Sequence, residues 1–102
     1  MKSFMKIKAY HISPIKNRES ILKNGLILSE KDSGRIQYGP RIFFSINDKD
    51  LGFDYVGYEH VDCWEFEVNS NSIKKDPFSG SSNHYFIIEP VGSSKVSLFS
   101  SH

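Results

Sequence analysis

Apolar and polar residues alternate along this chain over short stretches separated by turn-forming residues. Phe4 to Ile12 sets Phe4, Ile7, Tyr10 and Ile12 among lysines, and its β-branched and aromatic content predicts a first strand. Asn17 stands where a helix N-cap is expected. Glu19 falls in the first turn, where the positive helix end favours an acid, and Gly25 suits the left-handed position just past the last turn. These signals predict a helix of about two turns, with Ile21 and Leu22 packed inward. Leu26 to Leu28 predicts a brief strand, and the charged, glycine- and proline-bearing "SEKDSGRIQYGP" predicts a mobile loop. "RIFFSI" has the composition of a strand, after which Asn47 or Asp48 would cap a second short helix over "DKDLGFDYVGY".

The rest of the pattern is strand-like. "VDCWEFEV" places Val61, Cys63, Phe66 and Val68 near the core and Asp62, Glu65 and Glu67 on the other side, with a break of phase around Trp64. "NSNSIKKDPFSGSSN" reads as a polar loop. "HYFIIE" and "KVSLF" read as two last strands joined through the turn "PVGSS". Strands outnumber helices and both helices lie between early strands, so the class is α+β.

Composition adds bounds to this picture. The 102 residues suit one domain, 1–102, and a chain that is 38% hydrophobic, 25% charged and 14% aromatic is globular in character. The single cysteine, Cys63, excludes an intrachain disulfide framework and fits a reducing compartment. No apolar run approaches the roughly 20 residues of a membrane span, and the amino-terminal lysines precede no long apolar core of a signal peptide; the expectation is a soluble cytoplasmic protein. The net charge of +1 hides an asymmetry, since residues 1–51 carry about +5 and residues 52–102 about −4. A basic half can face the phosphates of a nucleotide or nucleic acid, and scattered solvated lysines give the same count.

The ordered set "YHIS", "ESILKNGL", "RIFFSINDKD", "CWEFEV", "NHYFII" and "KVSLF" resembles the ADP-ribosyltransferase fold. Within it, the chain is similar to the branch of poly(ADP-ribose) polymerases, DNA-modifying toxins and RNA 2′-phosphotransferases. The resemblance implies a compact α+β domain of two packed, mostly antiparallel sheets with two short helices, and NAD as substrate.

It also implies roles. His11 matches the histidine that hydrogen-bonds the nicotinamide ribose, and Ser13 the hydroxyl position just after it. Phe43 or Phe44, with Ser45 beside them, matches the strand whose aromatic ring stacks on nicotinamide; a phenyl ring stacks without offering a hydroxyl. At the position where the polymerases carry a glutamate that binds a ribose hydroxyl and stabilises a cationic transition state, this chain has His84. Glu89 follows five residues later, beyond the strand end, and Glu65 and Glu67 lie one strand too early. Read from the residues alone, Arg35 and Arg41 could grip phosphates or sit on the surface. His60, Asp62 and Cys63 lack a second cluster to complete a metal site, and no nucleophile elbow supports Ser/His catalysis.

Two function classes follow. One is an NAD-using transferase or glycohydrolase in which His11, His84 and Glu89 are the candidate catalytic groups and His11, Ser13, Phe43, Phe44, Ser45 and Arg41 hold the nucleotide, the acceptor being a nucleic acid or a protein. The other is a catalytically degenerate module of the same fold that binds a nucleotide, a nucleic acid or a protein, such as a phage or mobile-element inhibitor or a toxin-system component. Both readings require His11 and His84 to open onto one crevice across from a phenyl ring.

Overall fold

Three strands of unequal length carry the middle of the molecule, and their pairing explains where the core lies. The computed structural model describes residues 5–28, 41–51, 60–77 and 80–101. In chain order the elements are β1 (Lys6–Pro14), α1 (Arg18–Asn24), β2 (Ile42–Ser45), β3 (Val61–Asn69), β4 (Lys74–Lys75), β5 (His84–Ile87) and β6 (Ser97–Ser101). They form one six-stranded sheet in the order β4-β5-β2-β1-β3-β6, and every pairing is antiparallel. The radius of gyration, 13.0 Å, is that of a compact α+β domain of this size. Among the described residues there is one sheet rather than two and one α-helix rather than two. The second helix was expected over residues of which 52–59 lie outside the described part; over 47–50 the chain makes a turn. The loop over 29–40, with Arg35, and Phe4 also lie outside it. None of the described helices is long and apolar enough to cross a membrane.

The sheet has a weak middle. β1 pairs with β3 along all nine residues, from Lys6↔Asn69 to Pro14↔Val61, whereas β1 meets β2 at the one pair Tyr10↔Ser45. The single sheet thus has two three-stranded halves, β4-β5-β2 and β1-β3-β6, joined at a seam, and the two packed sheets that the resemblance implies are not found among the described residues.

Cross-strand partners share a face and alternate residues change face. Ile7, Ala9, His11 and Ser13 of β1 thus share one face with Asp62, Trp64, Phe66 and Val68 of β3. On this face Ala9, Trp64, Phe66 and Val68 pack with Ile42, Phe44, Ile87, Leu26, Val91 and Ile21 of the helix. The opposite face holds a smaller cluster of Tyr10, Ile12, Val61 and Cys63, covered by Leu51. Both faces of β3 are buried at its Val61 end, so the strand does not show the simple alternation its sequence suggests. Asp62 faces inward with Trp64. The expected phase break is carried by β6 instead: the register slips between Cys63 and Trp64, which leaves Phe99 as the extra residue, and its ring meets Tyr10 edge-on at 5.0 Å.

The helix begins and ends where the sequence places it, with Asn17 at the N-cap and Gly25 after the last turn. The Asn17 side chain makes no capping bond, because a 3-10 turn over Ile15–Asn17 leads into the helix and turns its backbone helical already. Ile21 is buried but Leu22 is 58% exposed, since seven residues bury only one narrow stripe. Gly25 has φ 76 and ψ −162, a region open only to glycine, and a Cβ there would sit 2.0 Å from the Val91 carbonyl oxygen. The close approach lets Leu26 and Val91 exchange two hydrogen bonds of 2.9 Å, so the expected strand at Leu26–Leu28 is a single bridge. Lys74 and Lys75, read as loop by their polarity, pair with Phe86 and Tyr85 as the outermost strand.

Candidate functional site

The seam between β1 and β2 gathers most of the residues singled out in the sequence. Tyr10 pairs with Ser45, and Ser45 pairs with His84, so β1, β2 and β5 align His11, Phe43, Ser45 and His84 within two strand spacings, about 10 Å. The register also corrects one expectation. His84 lies on the face of Ser45 and Tyr10, and His11, the next residue, projects from the other; the two imidazoles flank the seam from opposite faces and do not share one wall of a crevice.

His11 is tied across the seam. Its Nδ1–H donates to the Phe43 carbonyl at 2.6 Å, and since a carbonyl only accepts, the neutral ring keeps its lone pair on Nε2. Burial lowers the pKa of His11, opposed by that same bond, so the ring is neutral at physiological pH. Ser13 is 2% exposed, and its Oγ accepts the Trp64 indole N–H at 2.9 Å. Its hydroxyl therefore satisfies a core tryptophan, a role different from the nucleotide contact the resemblance implies.

Phe43 and Phe44 take opposite faces. Phe44 is core, edge-on to Phe66 at 5.7 Å and stacked with Tyr85 at 6.5 Å. Phe43 is half-buried beside Phe86, at 5.7 Å between ring centroids, and is the one of the two placed to meet a ligand. Arg41 lies over the Phe86 ring at 4.4 Å, a cation–π contact at the edge of the same cluster. Ser45 is buried, and its hydroxyl both accepts from Asn47 N at 3.1 Å and donates to Asn47 O at 3.0 Å. It thereby fixes the turn leaving β2, closed further by Lys49 N on Asn47 Oδ1 at 2.9 Å and Asp50 N on Asn47 O at 3.0 Å.

That turn delivers Asp50 to the start of β5. The His84 Nε2–H donates to the Asp50 carbonyl at 3.0 Å, with Asp50 Oδ1 3.4 Å away. Asn83 Nδ2 donates to Asp50 Oδ2 at 3.0 Å, and Ser81 Oγ donates to the same oxygen. Bonds from Ser81 and Asn83, then the nearby imidazole, hold the Asp50 carboxyl below its usual range. Glu89, the other carboxylate considered, is exposed two residues past the end of β5.

Sequence reasoning missed Asp50 because "DKDLGF" read as a helix; the turn-forming Asn47 was the available signal. It also missed Arg18 with Asp62. The Arg18 guanidinium grips the buried Asp62 carboxylate with two bonds, Nε to Oδ2 at 2.9 Å and an Nη to Oδ1 at 2.7 Å, and Ser101 Oγ donates to Oδ1 at 2.7 Å. Arg18 first, then Ser101, lowers the Asp62 pKa against the opposing effect of burial. Burial pushes the Cys63 thiol up to about 11, which makes it a poor nucleophile. Cys63 and Asp62 also face opposite sides of β3, and among the described residues no group of three or more His, Cys, Asp or Glu could hold a metal ion. A hollow of about 590 Å³ lies away from the seam, at the Lys6 end of β1, bordered by Lys8, Glu65, Glu67, Lys95 and Ser97. No family model, curated protein or solved structure matches the chain.

Proposed function

We propose that this protein is a small NAD-using enzyme of the ADP-ribosyltransferase type that binds the nicotinamide end of NAD on the face of β2 and β5 that carries Phe43 and His84. The observation that supports it is that Phe43 and His84 share one face of the adjacent strands β2 and β5, beside the single pair that joins β2 to β1. A ligand over β2 and β5 on that face meets Phe43 and His84, and His11, on the other face, does not reach it directly. His11 supports the site from behind through its Nδ1–H bond to the Phe43 carbonyl. The Phe43 ring offers a stacking surface for the nicotinamide, a contact of about 0.5–1.5 kcal/mol.

The reaction breaks the bond between the ribosyl carbon and the nicotinamide nitrogen. The electron pair goes to the nicotinamide ring and neutralises it, leaving positive charge on the ribosyl carbon. An acceptor oxygen or nitrogen then bonds to that carbon and releases its proton. The test is nicotinamide release from NAD, together with transfer of label from the ADP-ribose part to nucleic acid or protein. Wild type is expected to release nicotinamide, and Phe43→Ala to slow it roughly tenfold, the value of a stacking contact of about 1.4 kcal/mol. Absence of both release and calorimetric binding of NAD would overturn the reading.

A second reading, a binding module without turnover, is favoured by one observation: an imidazole stands in β5 where the resembled family has a glutamate. NAD binding without nicotinamide release would select it.

A further inference from the structure

β3 outlasts the strand beside it, and its surplus forms one wall of the hollow at the Lys6 end of β1. β6 starts at Ser97, opposite Glu65, so the outer edge of residues 66–69 has no strand neighbour among the described residues. Ser70 N donates to Met5 O at 2.9 Å, which fixes the alternation of the β1–β3 ladder. Phe66 and Val68 bond to β1, and Glu67 and Asn69 turn their backbone groups outward. Asn69 O is taken by Ser72 N at 2.9 Å, which leaves the Glu67 N–H, the Glu67 carbonyl and the Asn69 N–H at the open edge. Lys95 would face Glu67 if β6 ran on. Instead it closes a 3-10 turn over Ser93–Lys95, its N–H bonding Gly92 O at 2.9 Å. One strand's place beside Glu67 is thereby vacated, and the hollow of about 590 Å³ is bounded by this edge and that turn.

The side chains add a charge preference. Lys8 stands opposite Glu67 and 3.9 Å from Glu65, so two carboxylates flank one ammonium. Lys6, opposite Asn69, and Lys95, on the turn, take part in no ion pair among the described residues. A small anion would meet these lysines and the N–H groups and leave the Glu67 carbonyl unmatched. A peptide main chain offers donor and acceptor together, which is how an extended segment adds to a sheet edge. We propose that the hollow takes an extended peptide segment bearing a carboxylate, which pairs with β3 as a short antiparallel strand and sets its acidic side chain opposite Asn69, within reach of Lys6. A hydroxyl residue opposite Glu67 avoids a like charge there, and apolar residues between the two continue the face of Phe66 and Val68. The site lies beyond β1 from the NAD face and does not depend on it.

The experiment is calorimetry with the capped pentapeptide acetyl-Val-Glu-Val-Thr-Val-amide, whose acid falls opposite Asn69 and whose threonine falls opposite Glu67 in antiparallel register. A control peptide carries a methyl group on the threonine nitrogen. It keeps every side chain and charge and loses the donor to the Glu67 carbonyl. Wild type is expected to bind the first peptide, and the control roughly tenfold more weakly or not at all. Lys6→Ala is expected to weaken the first peptide about threefold at low salt, the difference closing as salt is added. Equal affinity for the two peptides overturns strand pairing, and this comparison leaves the protein unaltered, so folding does not enter it. An affinity that Lys6→Ala leaves unchanged overturns the placing of the carboxylate. Absence of binding by the first peptide overturns the proposal, and binding of inorganic phosphate in its stead assigns the hollow to a small anion.

Discussion

Ser13 shows how one side chain can satisfy a motif and serve another purpose. It follows the strand histidine by two residues, as a ribose-binding hydroxyl would, but it is sealed from solvent and its oxygen accepts the indole N–H of Trp64, itself 0% exposed. Removing it strands a buried donor. Ser13→Ala is therefore expected to destabilise the fold by about 1–3 kcal/mol, read as a lower midpoint in urea, whereas a hydroxyl used only for ligand binding would leave the midpoint unmoved. His11 differs: its Nδ1–H bonds the Phe43 carbonyl and ties β1 to β2.

At the scale of elements, the junction of α1 with the bridge Leu26↔Val91 depends on a residue without a side chain. Gly25→Ala must adopt φ 76 with ψ −162 and also push its Cβ against the Val91 carbonyl. The strain alone costs about 1–3 kcal/mol, and thermal unfolding of the variant is expected to begin at a correspondingly lower temperature. This helix was legible because its signals are local: Asn17 before it, Glu19 in its first turn, Gly25 after it. β1, β2, β5 and β6 were legible from their β-branched and aromatic content. What resisted reading depends on distant partners. Asp62 looks like a solvent-facing residue until Arg18, 44 positions away, supplies a guanidinium. Lys74 and Lys75 form a strand only because β5 offers an edge, and Asp50 belongs to the candidate site only because β5 brings His84, Ser81 and Asn83 to it. Local pattern also cannot show that β1 and β2 join at one pair.

Across the whole molecule, Arg18, Asp62 and Ser101 tie the helix, the longest strand pair and the last strand into one ionic knot. The Asp62 pKa is lowered in the folded state, so the unfolded chain binds the proton more readily; the stabilisation is present above the ordinary carboxylate range, near 4, and is lost as pH falls below it. His11 acts in the same direction at higher pH, because its lowered pKa lets the unfolded chain take up a proton first as pH falls below about 6.5. Urea unfolding from pH 8 to pH 3 is expected to show two successive losses of stability, with Asp62→Asn flattening the lower one and His11→Gln the upper.

The slip between β3 and β6 has a consequence for the outer border of the sheet. Ser97–Ser101 is a rim strand with no charged residue, and Leu98 and Phe99 are each 43% exposed, a composition that invites a second chain to add alongside. The inserted Phe99 bends that rim and turns its ring toward Tyr10, so a straight strand from another copy matches only part of its length. A copy that adds along this rim would have to break register at Phe99, so the bulge works against regular stacking at that border.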